Sequence, residues 1–184
     1  MSEDEVLSHF RARRLQGEAV PPDVTILLAH HRELSQRIGV QLNWDEGWAP
    51  WLDTRHLRQE ELEDRQVAAN IRAGAEICGH IAFIAAHEDG EYYGYWRGVE
   101  DRPVSSSPLV RLDNEGQFRL CGGNTFAEAL LERTYDEEDF DELKDWLVSL
   151  GIPIEAQTIE DLADPAVARN PRHLHEELYR QYLG

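Results

Sequence analysis

The chain has 184 residues, 36 of them acidic and 18 basic, for a formal net charge of −18. That length suits one domain burying roughly 70% of its unfolded surface. The charge repels nucleic acid and anionic membrane and attracts basic surfaces. No apolar run approaches the ~18–20 residues of a membrane span. The opening MSEDEVLSHF is acidic where an export signal would be basic and then apolar, so a cytoplasmic location is expected. The basic residues are 17 Arg and one Lys, Lys144. Cys78 and Cys121 are expected to be free thiols, packed as small hydrophobes.

Ser2 and Glu5 stand at capping-box spacing, and Val6, Leu7 and Phe10 continue a helical period to a stop at Gly17. Arg11, Arg13 and Arg14 read as the solvated face of that helix. Pro21, Pro22 and Asp23 open a second helix, with Leu27, His31, Leu34 and Ile38 on one face and Gly39 as its stop. His30 and His31 are neighbours in sequence, so on a helix they diverge and make a poor metal pair. Residues 40–44 alternate as a short edge strand. A loop follows, pinned by Trp48 and Trp51 around Pro50; ligand stacking on these rings is the functional alternative. Residues 58–77 carry helix formers, with Leu62, Val67, Ile71 and Ala75 as the expected buried stripe.

Residues 81–86 are apolar on both parities, the mark of a strand buried on both faces in the middle of a sheet. His87, Glu88, Asp89 and Gly90 make a hairpin turn, since Asp-Gly supplies the positive φ such a turn requires. In the next strand Tyr92, Gly94 and Trp96 share one face, and Tyr93, Tyr95 and Arg97 the other. Gly94 between two tyrosines marks a bulge or a close backbone approach. After a loop holding Glu100 and Asp101, residues 109–121 form a second hairpin that turns at Asn114, Glu115 and Gly116, with Val110 and Leu112 inward. Thr125 and Glu128 cap a short helix from Phe126 to about Arg133. The next helix buries Phe140, Leu143, Leu147 and Leu150, with Trp146 beside them. It exposes Glu137, Glu138, Asp141, Glu142 and Asp145. Residues 134–164 hold 11 acids and one base, a local net of −10. Asn170 and Pro171 start the last helix, with Leu174, Leu178 and Tyr182 buried. The fold class expected is α+β, a central antiparallel sheet flanked by helices in one domain spanning 1–184.

No catalytic residue, cofactor or metal is predicted. Ser105, Ser106 and Ser107 lie in a plain loop without a nucleophile-elbow pattern, and Cys78 near His80 only shares a strand face with it. The His87-Glu88-Asp89 run reads as a turn, and His173 with His175 fits no helical ligand spacing. Gly122 and Gly123 before a helix lack the lysine and spacing of a phosphate loop.

The segments IAFIAAHEDGEYYGYWRG, PLVRLDNEGQF and TFAEALLER, with the helix start at Pro21-Pro22-Asp23, resemble the SUKH superfamily. That group includes the fungal Smi/Knr-type cell-wall regulators and many bacterial immunity proteins. The resemblance covers roughly residues 80–133; the flanks match in pattern only. Its signatures shape a fold and include no catalytic residue. It implies a SUKH-like α+β binding domain and a non-enzymatic, toxin–antitoxin-like role. Such proteins bind and neutralise a cognate toxin, and the toxin expected here is of a basic, nuclease type, met through protein–protein contact without nucleic acid or membrane. A regulatory or scaffold module of the Smi/Knr type is the alternative. A small-ligand binder or enzyme using Trp48, Trp51 and the Tyr92 to Trp96 aromatics is another. The expected partner surface comprises Glu88, Asp89, Glu91, Tyr93, Tyr95, Glu100 and Asp101 on the hairpin side, and Glu137, Glu138, Asp141, Glu142 and Asp145 on the acidic helix.

Overall fold

A computed structural model describes residues 2–165 and 169–184. Five strands form one antiparallel sheet in sequence order: β1 (Val40–Leu42), β2 (Ile81–His87), β3 (Tyr92–Trp96), β4 (Leu109–Leu112) and β5 (Phe118–Leu120). The α+β class is therefore as expected. Eight α-helices are described: α1 (Glu3–Arg14), α2 (Pro22–Ala29), α3 (His31–Ile38), α4 (Gln59–Glu63), α5 (Arg65–Cys78), α6 (Phe126–Leu131), α7 (Glu137–Ser149) and α8 (Pro171–Leu183). They cover both faces of the sheet. Tyr93, Tyr95, Ile84 and Leu109 face a core shared with α1, α2, α3, α6 and α7. Trp96, Phe83, Val110 and Leu112 face a second core shared with α5 and α8. The double burial of residues 81–86 thus has its cause, although β2 lies second in the sheet and β3 holds the centre.

β2 carries a bulge. Phe83 opposes Gly94 and Ala85 opposes Tyr93, so Ile84 is the extra residue. Strict alternation would send Ile84 and Ala85 to opposite faces; after the bulge both lie in the first core.

Two expected helices are broken. The segment 22–38 divides at His30, whose ψ of 21° leaves the helical range. The His31 ring lies 2.8 Å from the Leu28 carbonyl, a group a continuous helix would pair with the Arg32 N–H. The segment 58–77 divides at Asp64, which caps α5 by accepting the Gln66 and Val67 N–H groups at 2.8 and 3.0 Å. This break resets the helical phase. Ala69, Ala73 and Ile77 are buried, Leu62, Val67 and Ile71 are half-buried, and Ala75 is exposed. Two alanines on the inner stripe let α5 lie close to α8. Tyr182 is also only half-buried, its hydroxyl donating to Glu76 at the rim of that pair.

The arginines of α1 do more than meet solvent. Arg13 donates to the Trp44 carbonyl at 2.9 Å, and Arg14 to the Trp48 and Asp45 carbonyls at 3.0 and 2.7 Å. They clamp the tryptophan loop. In that loop Trp51 stacks on Phe83 at 3.9 Å, and Trp48 stands edge-on to both Trp51 and Tyr92. These rings pack on the sheet face and on one another.

Asp23 joins α2 to α6. It is 7% exposed and accepts the Ala127 N–H at 3.1 Å, which serves the start of α6. Burial raises its pKa above the ordinary aspartate value, against the opposing pull of the Ala127, Val24 and Phe126 N–H groups. A raised folded-state pKa means that the folded chain holds this proton more tightly than the unfolded chain does. Its stabilising share is therefore complete below the unfolded pKa and is lost as pH rises through the folded one. The stability of the native protein relative to Asp23→Asn should increase as pH is lowered from about 7 to about 4. Urea titrations of both proteins measure this, and a flat or falling difference would contradict it.

Both cysteines are free and buried, Cys78 in the second core and Cys121 in the first. Burial pushes both thiols up to about 12, so they stay protonated and unreactive at neutral pH.

Candidate functional site

An open groove lies where the end of α3, the β2–β3 turn and the start of α7 meet. It encloses about 680 Å³. Its walls carry Arg37, Glu88, Asp89, Arg133, Tyr135, Asp139 and Glu142. Local sequence explains each placement. Gly39, at φ +66°, ends α3 and turns the chain into β1; any side chain there would strike Glu88. Gly90, at φ +86°, closes the hairpin that carries Glu88 and Asp89. Asp136 caps α7 by accepting the Asp139 N–H at 2.9 Å, which sets the phase of the acidic helix.

The structure divides the twelve expected partner residues. Glu88, Asp89 and Glu142 meet in the groove, although 54 positions separate Glu88 from Glu142 in the chain. Asp89 is engaged there: Arg133 Nη2 donates to its Oδ2 at 3.3 Å, and its own N–H donates to His87 Nδ1 at 3.0 Å. Glu137, Glu138, Asp141 and Asp145 are exposed on α7. Glu138, Asp141, Asp145 and Val148 follow one another at spacings of three and four, forming a single outward ridge. Val148 is an exposed apolar side chain within it.

Five of the twelve lie elsewhere. Tyr93 and Tyr95 are 0% and 4% exposed, so neither can touch a partner; they are core residues of the central strand. Burial raises both phenols. Glu91 is an internal counter-ion, its side chain 14% exposed, 3.2 Å from Arg133 Nη1 and 3.8 Å from Arg111 Nη1. Arg133 Nη1 is in charge contact with it without hydrogen-bond alignment. Glu100 and Asp101 are exposed but away from the groove, where they brace a loop. Asp101 lies 3.1 Å from the buried Arg97, which also binds Glu18 at 2.9 Å, and Glu100 lies 3.8 Å from Arg102. The alternation of β3 placed Tyr93 and Tyr95 on one face, but only the tertiary structure shows that helices cover that face.

Tyr135 and Asp139 were missed. Tyr135 directly precedes the Asp136 cap, where an apolar side chain commonly folds back onto the fourth helical residue. That residue, Phe140, is 1% exposed, yet Tyr135 is 89% exposed. The ring is therefore outside the staple its position suggests.

Among the described residues, no three His, Cys, Asp or Glu side chains are grouped to hold a metal ion, and no helix is long and apolar enough to cross a membrane. His175 of α8 packs against Phe118 at 5.5 Å while His173 is exposed, so the two point apart. No family model matches the chain, and neither a curated protein nor a solved structure matches it.

Proposed function

We propose that the chain is a cytoplasmic, non-enzymatic binding domain of the SUKH type. In this reading it acts as an immunity protein that occupies and neutralises a cognate toxin with a basic, nuclease-like surface. The observation that carries this reading is the placement of acid. Glu138, Asp141 and Asp145 share the outward ridge of α7 with Val148, and Glu142 turns from the same helix into the groove. A nuclease that grips phosphates must be basic, and an acidic face can occupy the same surface. Complementary charge would speed the encounter and exclude wrong partners more than it would deepen affinity. The ordinary role of first-turn acids, balancing the helix dipole, accounts for Glu137, Glu138 and Asp139 alone. It does not reach Asp141, Glu142 or Asp145.

Co-expression with the product of the adjacent gene tests the reading. A toxic product that co-purifies with this protein, and is harmless in its presence, is the expected result. A partner that binds without toxicity would point instead to a regulatory module. Reversing Glu138, Asp141, Glu142 and Asp145 together to Lys should weaken binding by about 10- to 100-fold at low salt, with most of the loss in the association rate. Unchanged affinity under those conditions removes α7 from the interface.

A further inference from the structure

The groove holds more carboxylate than it has cation to meet it. Arg133 is taken by Glu91 and Asp89, at 3.2 and 3.3 Å. Arg37 lies over the Trp146 ring at 5.3 Å and reaches Glu142 only at 3.9 Å. Among the described residues, Glu88 and Asp139 have no cation within ion-pair distance. Both line the groove, Glu88 from the hairpin turn and Asp139 from α7. Tyr135 also lines the groove, with its ring free of the helix it precedes.

We propose that this groove receives an arginine side chain carried on a protruding segment of the basic partner. Its guanidinium lies between the Glu88, Asp139 and Glu142 carboxylates and on the face of Tyr135. The inference rests on the partner-binding reading above and adds to it a place and a recognised residue type. Arginine fits where lysine does not. A planar guanidinium presents five donors and can bond carboxylates on two walls while stacking on an aromatic face; an ammonium acts as a hydrated point charge. The groove volume of about 680 Å³ leaves room for flanking backbone as well. The division of labour is then clear. The outward ridge of α7 attracts any basic surface at long range, and the groove selects by shape.

The test uses the whole protein and three capped heptapeptides, Gly-Ser-Gly-X-Gly-Ser-Gly with X as arginine, lysine or citrulline, titrated by amide NMR at low salt. The arginine peptide should shift resonances of residues 35–40, 87–89 and 134–143, in saturable fashion. It should bind about three- to fivefold more tightly than the lysine peptide, the worth of an exposed cation–π contact. The uncharged citrulline peptide should not bind. Tyr135→Ala should lower the preference for arginine over lysine, because the stacking is lost and the carboxylate fork is kept, while Tyr135→Phe leaves it unchanged. The double variant Glu88→Gln with Asp139→Asn should weaken arginine binding about tenfold. Neutralising Glu138, Asp141 and Asp145 on the outward ridge should change it less than about twofold when the titration is repeated at about 0.15 M salt, where charges more than about 8 Å away are largely screened. Equal binding of arginine and lysine, or shifts spread over α7 without saturation, would overturn the proposal. The peptide experiment needs no natural partner, so the two readings fail separately. An adjacent product that does not bind removes the immunity reading alone. A bound toxin indifferent to Tyr135→Ala and to the Glu88/Asp139 variant removes the groove alone.

Discussion

Gly94→Ala is expected to remove about 3 kcal/mol of stability or more, the upper range for overpacking a core. An added Cβ would lie 2.5 Å from Ile81 Cγ2, 2.8 Å from the Ala82 carbonyl oxygen and 2.8 Å from Phe83 Cα. Two of those three atoms are backbone, so no rotamer change relieves the clash and β2 must move away from β3. β3 is the central strand and pairs on its other side with β4, opposite Val110. Displacement on one side therefore strains both ladders. Gly116→Ala is the control: its turn has open space, and only the φ of +79° is unfavourable, for a cost of about 1 kcal/mol. Chemical denaturation of the two variants compares them directly. A Gly94→Ala protein no less stable than Gly116→Ala would show that the close approach is not a constraint.

Trp96→Ala is expected to cost about 3–5 kcal/mol, the range for removing a buried tryptophan. Trp96 is 2% exposed and sits in the core between the sheet and helices α5 and α8. Its indole N–H also donates to the Arg169 carbonyl at 3.0 Å, fixing the chain just before α8 begins. The alanine variant loses both the ring and that tie. Trp96→Phe keeps most of the ring volume and loses the hydrogen bond, so its cost should be nearer about 1–2 kcal/mol. The pair of denaturation midpoints separates packing from bonding. In the alanine variant, amide exchange should rise across α8 before it rises in β1. Uniform exchange would mean that α8 docks without Trp96.

The parts of the fold that local physics decides were legible in the chain. Both hairpins were marked by Asp-Gly and Asn-Glu-Gly turns, and strand alternation placed Tyr92 and Trp96 opposite Tyr93 and Tyr95. Two helix breaks were not legible, because both depend on a single side chain choosing a backbone partner. Asp64 could have been read as a cap, but the helix formers around it outweighed that signal. His31 binding the Leu28 carbonyl has no pattern at all. The site was legible in charge and not in place. Acid density singled out α7, yet Glu91 resembles Glu88 in sequence and only burial beside Arg111 and Arg133 makes it a structural ion. The groove itself joins residues 35–40 to 87–89 and 130–143, and no local signal reports such a meeting.

The chain's lone lysine has a practical consequence. Lys144 sits on α7 between Asp141 and Asp145, with its ammonium 3.0 Å from Gln157 Oε1. Apart from the chain terminus it is the protein's one primary amine. An amine-reactive fluorophore, applied after the terminus is blocked, would attach at one position on the acidic helix. Native protein could then report the arrival of a basic partner optically, without an engineered cysteine.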